Sequence, residues 1–100
     1  MNSIIQNKFL LSFVTNKSGD QVFIHADKNG IDLLIKELTF LKEKLENNEC
    51  DHSHLISPEW GGNELTTSKL LDQVDEDTTV HEVKIYGWND EWKRKHKLSD

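Results

Sequence analysis

The sequence predicts an α+β fold in which one amphipathic helix lies on one face of a small antiparallel sheet of about four strands. Three observations carry this. Leu and Ile recur at helical spacing across residues 31–45, short apolar runs stand elsewhere, and clusters of turn-forming residues separate them. The predicted order is strand, strand, helix, strand, irregular segment, strand.

Phe9-Leu10-Leu11-Ser12-Phe13-Val14 is short, apolar and aromatic-rich, as a strand should be. Phe9, Leu11 and Phe13 share one face, with Leu10 and Val14 opposite, so both faces are candidates for burial. Thr15-Asn16-Lys17-Ser18-Gly19-Asp20 has turn chemistry, and Gln21-Val22-Phe23-Ile24-His25-Ala26 returns as the second strand of a hairpin. Asp27 or Asn29 then caps the helix, whose stripe is Ile31, Leu34, Leu38, Leu41 and Leu45, widened by Leu33 and Phe40. Charged residues from Lys36 to Glu46 fill the wet side, and Asn47-Asn48 end the helix. The 3-4 spacing lasts two heptads, too short for a coiled coil.

His52 to Ser57 reads as a third strand, stopped by Pro58. Residues 61–79 carry no clear period. From Val80 to Tyr86 the alternation returns, with His81, Val83 and Ile85 on one face and Glu82, Lys84 and Tyr86 on the other. The polar end from Asn89 to Asp100 predicts a loosely ordered tail. A chain of 100 residues has the size of a single domain with one core.

The net charge of -6 is unevenly spread: the first fifty residues carry seven acids and six bases, the second fifty eleven and six. Between Glu59 and Glu82 the single base is Lys69. This segment repels nucleic acid and anionic membranes and attracts basic proteins, though on charge alone a solvated acidic loop is the stronger reading. Lys93-Arg94-Lys95-His96-Lys97 is a short basic run in an acidic protein and reads as a solvated tail. Cys50 is the single cysteine, so no intrachain disulfide forms, and the start of the chain lacks the apolar run of a signal peptide. These features predict a cytoplasmic protein with no membrane span.

No glycine-rich phosphate loop, nucleophile elbow or paired Cys/His arrangement appears, and no spacing indicates an oriented serine–histidine pair, so catalysis and a cofactor are not expected. His52 and His54 share one side of a predicted strand. With His81 and either Glu59 or Asp51 they form a conceivable zinc set, but the loose spacing reads better as polar cross-strand pairing. A histidine-based metal-dependent enzyme and a homo-oligomeric module with paired sheet edges are the alternatives to a binding protein.

Two aromatic-glycine segments remain: Ser57-Pro58-Glu59-Trp60-Gly61-Gly62-Asn63-Glu64-Leu65 and Val83-Lys84-Ile85-Tyr86-Gly87-Trp88. Trp88 is expected in the core and Trp92 partly exposed, while Trp60 serves either as core or as an interface anchor. Gly61-Gly62 predicts a bulge or turn at a strand end. With the strand from His52, these segments resemble the immunity protein 32 family of bacterial polymorphic toxin systems. The resemblance implies a non-catalytic antidote that binds a cognate toxin domain, as a monomer or homodimer. It carries over no catalytic residue. The charge pattern adds a candidate toxin-facing surface: Glu59, Trp60, Glu64, Asp72, Asp75, Glu76 and Asp77.

Overall fold

The structure, a computed structural model, describes residues 9–67 and 77–98. Strand β1 (Leu11–Thr15) and β2 (Val22–Ala26) form the expected antiparallel hairpin. Asn16 organises its turn: its amide donates to Asp20 Oδ1 at 2.7 Å and its side-chain oxygen accepts from the Gln21 N–H at 3.1 Å. Gly19 supplies the left-handed position, φ 75°.

Helix α1 (Lys28–Glu46) starts at Asp27, the first of the two candidate caps, whose Oδ1 accepts from the Gly30 N–H at 2.8 Å. A side chain at Gly30 would land on the Leu10 carbonyl, so glycine lets the first turn sit directly against the chain entering β1. The helix packs on β3 (Asp51–Ile56), on β5 (Glu82–Gly87) and on β2. That support is narrow. Leu41 is buried and Leu33, Leu34 and Leu45 half-buried, while Ile31 and Leu38 of the predicted stripe stay exposed on its shoulder. Inward-facing Ser53 of β3 donates from its hydroxyl to Glu37 on α1, tying helix to strand.

The α+β class, the antiparallel pairing and the single main helix are as the sequence predicts, but the strands divide between two sheets. One has the order β2-β1-β4, with β4 the short strand Thr78–Thr79; the other pairs β3 with β5. The segment Val80–Tyr86, read as one strand, is where the chain changes sheets. Val80 N–H donates to the Phe13 carbonyl at 2.8 Å, and the next residue, His81, accepts at 2.8 Å from the Ser57 N–H. Alternation of side chains cannot reveal such a switch, because both sheets satisfy the same period of two.

The core lies between the sheets and the helix. Leu11, Phe13, Leu55 and Leu65 are buried together, with Phe9, Ala26, Leu33, Leu34, Val80, Val83 and Ile85 packed against them. β1 is buried on both faces, as its apolar run implied, since Ser12 and Val14 are also covered. Where the sequence predicts a loosely ordered tail, residues Asp90–Lys95 form α2. Asn89 caps it by accepting from the Trp92 N–H at 2.9 Å, and its amide reaches Asn48 Oδ1 at 3.0 Å beyond the end of α1. Acids in its first turn and bases in its last oppose the helix dipole.

Candidate functional site

The segment after β3 builds a turn pinned from several sides. Pro58 opens a single 3-10 turn, Pro58–Trp60, and Gly61 closes it in the left-handed region at φ 93°. The Ser57 carbonyl accepts from the Trp60 N–H at 3.0 Å and the Gly62 N–H at 2.8 Å. The chain then folds back, so that the Glu64 N–H donates to the Ile56 carbonyl at 3.1 Å while Glu64 Oε1 accepts from the Ile56 N–H at 3.0 Å. Leu65 drives the return: it is fully buried beside Leu11 and Leu55. Thr66 then bonds the outer edge of β1, its N–H donating to the Leu11 carbonyl at 2.8 Å and its Oγ1 accepting from the Leu11 N–H at 3.1 Å. Gly62 has no room for a side chain, because an added Cβ would stand 2.5 Å from Ile56 Cβ. The glycine pair therefore makes the predicted turn.

On this mount sits Trp60, 62% exposed, its ring stacked on His81 at a centroid distance of 5.1 Å and an angle of 5°. His81 is itself fixed, with Nδ1 2.8 Å from Ser57 Oγ. No local spacing signals this serine–histidine pair, because 24 residues and a change of sheet separate the partners. Ser57 is fully buried, so its hydroxyl orients the imidazole under Trp60 instead of facing solvent. Glu59 stands beside Trp60, exposed, and accepts from the Thr67 hydroxyl at 2.7 Å. That hydrogen bond holds the Glu59 carboxyl below its ordinary value of 4.5.

Of the seven residues read as a toxin-facing surface, Glu59, Trp60 and Glu64 come together on this turn. Glu64 is half-buried and engaged with the backbone of β3. Asp77 lies half-buried just before β4. Asp72, Asp75 and Glu76 fall outside the described residues.

A second aromatic group covers the outer face of the β3–β5 pair. His52 and His54 do share a side, with ring centroids 4.8 Å apart, and His52 stacks on Tyr86 at 5.6 Å. The chain of rings continues through Trp88 and His96 to Trp92, over which Lys95 Nζ lies at 4.6 Å. Trp88 is half-buried under this ladder and Trp92 is partly exposed. His54 Nδ1 meets Glu82 Oε2 at 2.9 Å across the strands, the polar cross-strand pairing that competes with a metal site. His81 is held instead by Ser57 and Trp60. Among the described residues no group of three or more His, Cys, Asp or Glu side chains comes together to hold a metal ion. Nor is any helix among them long and apolar enough to cross a membrane.

Comparison with known proteins places the chain. The family model described as Immunity protein 32 matches residues 21–81, from the entry into β2 through α1, β3 and the Trp60 turn to His81. The chain belongs to this family. The match reaches further into the N-terminal half than the short motifs do, and it ends before Val83–Trp88. No curated protein and no solved structure matches the chain. Membership of an immunity-protein family implies a protein toxin as partner.

Proposed function

We propose that this protein neutralises a cognate toxin domain in the bacterial cytoplasm by binding it and covering its working surface, with no chemistry of its own. The observation that carries the reading is the exposed Trp60 ring, fixed on His81 with Glu59 beside it. A large aromatic held rigidly in solvent gains contact area on binding while losing little side-chain entropy, the usual signature of an interface anchor. The acidic residues of the stretch of chain that carries it, Glu59, Glu64, Asp72, Asp75, Glu76 and Asp77, favour a toxin with a basic surface, such as a nuclease whose phosphate-binding groups they would occupy. Opposite charge also speeds encounter, up to about 10⁸–10⁹ M⁻¹s⁻¹ at low salt.

The test is Trp60→Ala against the toxin domain encoded beside this chain. Because the ring is mostly exposed, the fold should survive, whereas affinity should fall by at least about thirtyfold, corresponding to about 2 kcal/mol. Growth protection should fall with it. Unchanged affinity would remove Trp60 from the interface, and failure of the wild-type chain to bind that toxin would overturn the reading itself. Reversing Asp75, Glu76 and Asp77 together should slow association and flatten its salt dependence, with a smaller effect on dissociation.

A further inference from the structure

The two outer sides of the β1–β2 hairpin are treated differently by this chain. The β1 side is covered by Thr66 and by β4, through the Leu11 and Phe13 carbonyls. Among the described residues nothing pairs with the outer edge of β2. Natural edge strands are normally blunted by charge, proline or a bulge, since an open row of N–H and C=O groups recruits other strands. Gln21–Ala26 contains no Lys, Arg, Asp, Glu or Pro. Val22, Phe23 and Ile24 are instead 58%, 40% and 51% exposed.

The hydrogen-bond parity of the hairpin says which groups are free. Leu11 and Phe13 direct their backbone away from β2, so Ser12 and Val14 face it and bond their register partners His25 and Phe23. Val22, Ile24 and Ala26 consequently carry both N–H and C=O on the open edge. This set is symmetric about Ile24. Placing a two-fold axis there pairs Ile24 with its own copy and Val22 with Ala26 of the second molecule, all as hydrogen-bonded pairs. The same symmetry places the Asp20 end of one strand against the Lys28 end of the other, twice, so the uncharged strand is bracketed by complementary charges. Among the described residues Lys28 pairs with the solvent-exposed Asp32, at 2.9 Å.

We infer that β2 is a self-association strand: two copies of this chain pair antiparallel through Val22–Ala26 about Ile24, joining their three-stranded sheets into one. The second copy is favoured over a toxin as occupant because the free groups, the apolar side chains and the flanking charges are all self-complementary. A single strand buries less than the roughly 800 Å² per partner of a standard interface, so the dimer is weak, with Kd on the order of micromolar. This inference does not depend on how toxin is bound.

Sedimentation over about 1 µM to about 1 mM should show the mass rising from 11.6 kDa towards twice that value. Ile24→Lys, at an exposed position, should keep the circular dichroism of the wild type and abolish the rise. The register is tested by oxidative cross-linking in a Cys50→Ser background, which removes the native exposed thiol. Ile24→Cys places its sulfurs on residues about 5.5 Å apart at Cα, within disulfide reach, and should cross-link. Val22→Cys lies about 13 Å from its copy and should not. A chain that stays monomeric throughout, or cross-links equally at both positions, overturns the inference. So does a monomer whose toxin binding is lost in Ile24→Lys, which would assign the strand to the toxin. Trp60→Ala should leave the dimer unchanged, so the two proposals fail separately.

Discussion

The chain places an aromatic ring beside glycine twice, and the two segments do opposite things. In Trp60-Gly61-Gly62 the glycines are demanded by the backbone: Gly61 at φ 93°, Gly62 against the Ile56 carbonyl. The turn they permit lifts Trp60 into solvent. In Tyr86-Gly87-Trp88 the glycine stays in the strand, paired with Asp51, and its missing side chain leaves room for Leu45 of α1. The neighbouring rings then lie along the sheet surface, and Trp88 is half-buried between Tyr86 and His96. The same residue pair serves display in one place and helix packing in the other. What separates them is whether glycine is required by its own φ and close backbone contact or by a neighbour's volume.

This contrast breaks most sharply at Gly62. Gly62→Ala drives a new Cβ into the Ile56 carbonyl and Cβ and should cost about 3 kcal/mol of stability in urea unfolding. Gly87→Ala meets Leu45 Cδ1 at 3.3 Å, the end of a flexible side chain, and should cost under about 1 kcal/mol in the same assay. Equal losses would mean that the first turn can yield and that Trp60 is not rigidly mounted.

The smallest effect sharpens the picture of the rim. Thr67→Val removes the hydroxyl that lowers the Glu59 carboxyl, whose titration by NMR should move up towards 4.5. The sign follows from linkage: a carboxyl depressed in the folded state adds stability above its unfolded value, and that contribution disappears as pH falls through the folded value. Thr67→Val should therefore weaken the acid dependence of stability below pH 4.5, slightly, because Glu59 is exposed.

Much of this was legible in the residues. The hairpin, the Asp27 cap and the β3 stop at Pro58 follow from local chemistry, because turns and caps are satisfied by neighbours in the chain. The width of the buried helix face was not. Ile31 and Leu38 belong to the apolar period yet remain exposed, because the surface beneath α1 is narrower than the stripe. Trp60 and Glu59 stand out in the sequence beside the glycine pair, but nothing local marks His81 as the support of the Trp60 ring. That contact depends on β5 pairing with β3 in one particular register.

The sequence by itself determined the hairpin, the main helix, the acidic balance and the family, since each is written in spacing, turn residues or short motifs. Only the tertiary structure decided that two sheets form, that the chain crosses between them at Val80–His81, and that Ser57, Trp60 and His81 meet. Periodicity records which side of a strand faces the core, but not which strand lies next to it. Long-range hydrogen bonding and packing settle the neighbour, and with it the site.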